Sequence, residues 1–88
     1  MGKEEKMIAR LKTVPSDYTF DEAKSLAARF DYEEKNKGST SGSRVMFYRA
    51  RDGKKIMLHK PHPSDVMKQY SVRLFLERLI ENGDIEDE

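Results

Sequence analysis

The sequence predicts an α+β domain of two layers. A three-stranded antiparallel sheet carries helices on one face, in the order α-β-β-β-α, with an extra helix at the N-terminus. Three observations predict it. Two stretches, at about residues 20–30 and 71–82, carry apolar residues at helical intervals. Between them, "SRVMFYRA" and "KKIMLHK" are rich in strand-forming residues and are joined by "RDG", in which Asp-Gly accepts the positive φ of a hairpin turn. The helical segments flank the strands, so both amphipathic helices bury their stripes on the same sheet face.

In chain order, Met7, Ile8 and Leu11 sit at helical spacing and predict a short first helix. "TVPSDYT" ends it, because Pro15 restricts Val14 and Ser16 and Asp17 supply turn chemistry. "TFDE" then reads as a capping box, Thr19 as cap and Glu22 reaching back to it, ahead of a stripe of Phe20, Ala23, Leu26, Ala27 and Phe30. "DYEEKNK" suits an edge strand, and "GSTSG" is a loop by composition. After the hairpin, "PHPSD" cannot continue a sheet interior because its two prolines lack donors. Ser71 is positioned to cap the last helix, where Val72, Phe75, Leu76, Leu79 and Ile80 form one face and Gly83 stops the run. The division expected is a helical extension over 1–18, a domain over 19–83 and a frayed acidic tail over 84–88.

Composition narrows the class. A chain of 88 residues makes one small domain. It has no cysteine, so disulfides and thiolate metal sites are excluded. No apolar run approaches the ~20 residues needed to span a bilayer, and "MGKEEKMIARL" lacks the apolar stretch of a signal peptide. A cytoplasmic protein without membrane contact is therefore expected. The net charge of +1 conceals an asymmetry. Residues 1–34 hold six Lys/Arg and eight Asp/Glu, a net −2; residues 35–68 hold nine and two, a net +7; residues 69–88 hold two and six, a net −4. The cationic third is the part that reads as sheet, and such a field attracts polyanions whatever the total charge. A solvated surface balanced by acidic helices accounts for the same numbers.

Strand alternation assigns the residues to faces. Val45 and Phe47 point to one side, with Ile56 and Leu58 as the matching pair. The other side then shows Arg44, Met46, Tyr48, Lys55, Met57 and His59, a cationic face with aromatic and thioether groups between the charges. Tyr48 and Met46 suit stacking on a base or ribose, and suit packing under the N-terminal helix equally. The loop "KNKGSTSGS" offers Lys35, Lys37, hydroxyls and backbone N–H groups to phosphate oxygens. Its spacing is not that of a P-loop.

These segments in this order resemble the HicA family of toxin–antitoxin toxins, over about residues 20–82. The resemblance rests on a helix, the loop "KNKGSTSGS", the strand "RVMFYR", the run "DGKKIMLHKPH" and the helix start "YSVRLFL". It implies a fold like the double-stranded RNA-binding domain, endoribonuclease activity on mRNA without metal or cofactor, and neutralisation by a HicB-like antitoxin protein that covers the active face. The family carries a Gly-Ser-His triplet whose histidine is taken as catalytic; here the triplet is Gly42-Ser43-Arg44. The family's second histidine, after the third strand, matches His62.

Metal-free RNA cleavage needs a base for the 2′-hydroxyl proton, an acid for the leaving oxygen and a cation for the phosphorane. Arginine stays protonated, so Arg44 fits a phosphate clamp rather than a proton carrier. Proton transfer then falls to His59 or His62, since imidazole titrates near neutrality. Phosphate binding is assigned to Lys35, Lys37, Arg44, Lys55 and Lys60, and base or ribose stacking to Tyr48. No metal set is formed: two histidines with only Asp65 nearby are not a convincing ligand group. The alternative is a non-catalytic module of the same fold that binds RNA or a protein partner. Nothing in the sequence fixes an oligomeric state.

Overall fold

The computed structural model of the chain describes residues 2–35, 44–61 and 64–86. Three helices and one three-stranded antiparallel sheet alternate as α1 (Lys3–Lys12), α2 (Phe20–Arg29), β1 (Glu33–Lys35), β2 (Arg44–Arg49), β3 (Lys54–His59) and α3 (Gln69–Glu81), with strand order β1-β2-β3. This is the expected α+β layout.

Helix α1 joins the helical layer, packing against α2 and α3. Leu11 enters the core at 0% exposure, while Met7 and Ile8 flank it half-buried. The N-terminal helix therefore packs with the other helices rather than over Met46 and Tyr48. Helix α2 starts on the expected capping box: Glu22 N–H donates to Thr19 Oγ1 at 3.2 Å, and Thr19 N–H donates to Glu22 Oε1 at 2.9 Å. The Arg10 guanidinium closes on the same carboxylate and on Asp17 Oδ1 at 3.1 Å, which ties α1 to the start of α2. That contact holds the Glu22 carboxyl below its usual range. Pro15 disfavours right-handed helix at Val14, and Val14 takes φ 48°, a left-handed value that is costly for a β-branched residue. Two hydrogen bonds fix it there: its N–H donates to the Leu11 carbonyl at 2.9 Å, and its carbonyl accepts from Gln69 Nε2 at 2.8 Å.

Helices α2 and α3 end in the same way. Asp31 (φ 72°) and Gly83 (φ 84°) occupy the left-handed position. Asp31 N–H donates to the Ala28 carbonyl and Tyr32 N–H to the Ala27 carbonyl, both at 3.0 Å; the equivalent pair after α3 runs from Gly83 to Ile80 at 3.0 Å and from Asp84 to Leu79 at 2.9 Å. These are Schellman motifs, which satisfy the last carbonyls of each helix. The start of α3 departs from expectation. Lys68 is the N-cap, with no side-chain cap bond, and Ser71 lies inside the first turn. Its N–H donates to the Lys68 carbonyl at 2.9 Å. The apolar stripe identifies the helix but not its first turn, which Gln69 and Tyr70 form without apolar contribution.

The β2–β3 hairpin pairs Val45 with Leu58 and Phe47 with Ile56, as the alternation requires, and Gly53 takes φ 71° in the turn. These four side chains are at most 2% exposed. Phe47 centres the core, with its ring centroid 6.1 Å from that of Phe20 and 6.4 Å from that of Phe75. The expected frayed tail does not hold at its first two residues. Ile85 is 5% exposed, and the Asp84 carboxylate is drawn under the sheet by Arg49.

Candidate nucleic-acid interface

The site begins with register. On the sheet face away from the helices, Arg44 lies directly across from His59, Met46 from Met57, and Tyr48 from Lys55. β1 adds Lys35 beside Met46 and Glu33 beside Tyr48. Directly opposed residues hold their Cβ atoms about 5 Å apart, so the Arg44 guanidinium and the His59 imidazole share one end of the open face. Arg44, Lys35, Lys55 and His59 are exposed, Met57 is 42% exposed, and Met46 and Tyr48 are half-buried. Every sheet residue expected on this face is there.

The charge is less than the sequence suggests. Lys35 Nζ lies 3.2 Å from the Glu33 carboxylate on the same face. Arg51 pairs with Asp31 at 3.5 Å, and Arg49, counted among the cations of this region, is buried at 2% exposure. Its Nη1 donates to Asp84 Oδ1 at 2.7 Å and to the Phe30 carbonyl at 3.0 Å, its Nη2 lies 3.0 Å from Asp52 Oδ2, and its guanidinium sits 4.5 Å from the Tyr32 ring centroid. The Tyr32 hydroxyl donates to Asp84 Oδ2 at 2.6 Å. Burial first, then the proton held by Asp84, pushes the Tyr32 phenol up to about 12. The guanidinium in turn keeps the Asp52 carboxyl below its usual range. Position 49 continues the inward alternation of 45 and 47, which is the signal that could have identified Arg49 as internal.

Known proteins give no further bearing on the site. Comparison with protein-family models, curated proteins and solved structures returns no match for this chain. What remains is the arrangement itself. Lys60 is exposed just after β3 and lines a cavity of about 240 Å³. His59, Lys60, Lys68, Tyr70 and Ser71 line it, with Met67 at its base. Lys68 and Tyr70 belong to a helix start that periodicity does not locate, so the sequence pattern does not single them out. Lys37 and His62 lie outside the described residues. Among the described residues, no group of three or more His, Cys, Asp or Glu is placed to hold a metal ion. No described helix is long and apolar enough to cross a membrane.

Chemically, the face combines an exposed guanidinium capable of bidentate donation, Arg44, with the one imidazole among the described residues. Around them stand the exposed ammonium groups of Lys35 and Lys55 and the apolar surface of Met46, Tyr48 and Met57. Such a surface suits a flexible anionic strand with stacking bases better than a small apolar ligand.

Proposed function

We propose that this chain is a HicA-like toxin with a fold of the double-stranded RNA-binding-domain type, and that it binds mRNA on the open face of its sheet. The observation that carries the proposal is the cross-strand pair Arg44–His59 at the end of a face that also bears Lys55, Lys35 and Tyr48. Arg44 clamps a phosphate through two donors, Lys35, Lys37, Lys55 and Lys60 supply the surrounding field, and Tyr48 stacks on a base or ribose. Cleavage follows if His59 removes the 2′-hydroxyl proton while the 2′ oxygen attacks phosphorus. The 5′ oxygen then leaves with a proton from His59 or His62, and Arg44 holds the charged phosphorane. A HicB-like antitoxin would cover the same face in the cytoplasm.

A second reading is favoured by one observation: the position of the family's catalytic histidine holds Arg44, a poor proton carrier. On that reading the protein binds RNA without cutting it. Purified protein incubated with RNA, with and without His59→Ala, separates the two. Cleavage lost with binding retained supports the toxin. Intact RNA from the unsubstituted protein, with binding that weakens on Arg44→Ala, supports the binding module. Absence of any RNA complex at low salt overturns both.

A further inference from the structure

The two edges of the sheet differ. β1 is three residues long, and its carboxylates are engaged, Glu33 with Lys35 and Glu34 with Lys24, each at 3.2 Å. A short, charged edge of this kind resists further pairing. β3 is six residues long and has β2 on one side only. On an antiparallel edge strand, alternate residues turn their N–H and C=O groups outward. Among the described residues, Lys54 N–H finds Asp52 Oδ1 at 3.3 Å, and β3 makes no other hydrogen bond outside its ladder with β2. We propose that β3 is a docking edge for an extended acidic segment of a partner protein. That segment pairs with β3 as a fourth strand and sets one apolar side chain into the cavity at its end. The inference does not rest on RNA binding by the open face.

Hydrophobic exposure marks the same line. Among the described residues three large hydrophobic side chains are exposed: Met57 at 42%, Val66 at 41% and Tyr70 at 62%. Met57 belongs to β3. Val66 and Tyr70 line the cavity of about 240 Å³ that begins where β3 ends, at His59, Lys60 and Pro61. Single exposed apolar residues carry no message, but a cluster of them beside an unpaired edge marks an interaction site. In strand addition the main-chain bonds supply affinity, and pockets for side chains supply selectivity. Charge identifies the occupant. From Lys54 to Pro61 the chain holds three lysines, one histidine and no carboxylate. Among the described residues, Lys54, Lys55 and Lys60 make no ion pair. The cavity lining adds Lys68 and no acidic group. Opposite charges across paired strands attract and like charges repel, so an acidic strand fits this seam. A second copy brings the same lysines to it and is disfavoured. RNA brings the charge but no row of N–H and C=O groups to continue the ladder.

The test pans a random-peptide phage library against the full chain. The enriched peptides are then made synthetically and followed by fluorescence anisotropy, amide NMR and hydrogen exchange. The expected selection is of acidic, proline-free sequences with one recurrent large apolar residue. Amides at alternate positions of β3 should shift and exchange more slowly in the complex. A proline placed in the paired stretch of the peptide should abolish binding, because it removes a ladder donor. Lys54→Glu combined with Lys55→Glu, both at exposed positions, should weaken the acidic peptides by about tenfold. Tyr70→Ala should remove the preference for the apolar residue. No enrichment, enrichment of basic or proline-rich sequences, or shifts that miss β3 overturn the docking edge. Protection of β3 amides in a dimer of the chain alone, seen by sedimentation equilibrium, overturns it in favour of a second copy. Protection of the same amides by a short RNA overturns it in favour of nucleic acid. Peptide protection of β3 with no RNA shifts on the open face supports the edge and overturns only the RNA reading.

Discussion

Asp84→Ala is expected to destabilise the whole domain, although position 84 opens what reads as a solvated tail. The carboxylate is 8% exposed and accepts from Arg49 at 2.7 Å and from the Tyr32 hydroxyl at 2.6 Å. Its removal leaves a guanidinium buried at 2% exposure with one ionic partner instead of two. Breaking a buried ion pair by deleting one member costs about 3–5 kcal/mol. Arg49 keeps Asp52 and the Phe30 carbonyl, which favours the lower end, about 3 kcal/mol. A domain of 88 residues is stable by roughly 4–13 kcal/mol at ~0.05–0.15 kcal/mol per residue, so the loss is a large share of the total. With a urea slope of about 1 kcal/mol per molar, the unfolding midpoint should fall by roughly 3 M. Circular dichroism across a urea series measures it, and Glu86→Ala, on an exposed neighbour, is the control. A midpoint for Asp84→Ala within about 0.5 M of the unsubstituted protein, the scale of a surface change, would refute the view that Arg49 and Asp84 close the bottom of the sheet.

Three further outcomes follow from the same geometry. Phe47→Ala removes the ring between Phe20 and Phe75 and should cost about 3–5 kcal/mol in the same urea assay. Tyr32 is held protonated up to about 12, against about 10 for a free tyrosine. A raised folded value stabilises fully below the unfolded one, so this contribution should persist below pH ~10 and vanish as pH rises through ~12; thermal melts over that range, with Tyr32→Phe for comparison, check it. Arg44→Ala should weaken RNA binding and lower the slope of log affinity against log salt by about 0.7–0.9, the share of one phosphate contact; an unchanged slope would place Arg44 outside the contact.

The legible part of this protein is local. Thr19 and Glu22 announce a helix start three residues apart, and the same two groups close on each other in the structure. Period-two alternation in "RVMFYR" and "KKIMLH" fixes which side chains face the core, and the Asp-Gly turn fixes the register that brings Arg44 opposite His59. Each of these signals spans a few residues and needs no distant partner, so the sheet and most of the candidate face follow from reading along the chain.

What the chain order does not reveal is pairing across distance. Arg49 looks like one more cation of a basic segment, and Asp84 like the first residue of an acidic tail; only folding brings the two 35 positions apart into contact. That contact converts an apparent surface cation into an internal strut and an apparent tail into part of the core. The same holds at α3, where Ser71 reads as a cap and is instead a buried first-turn residue lining a cavity that His59 of β3 also lines. By itself the sequence determined the layers, the strand faces and the placement of cationic residues. The tertiary structure decided which of those charges are free to meet a ligand, because an ion pair or a burial depends on what lies next to a side chain in space.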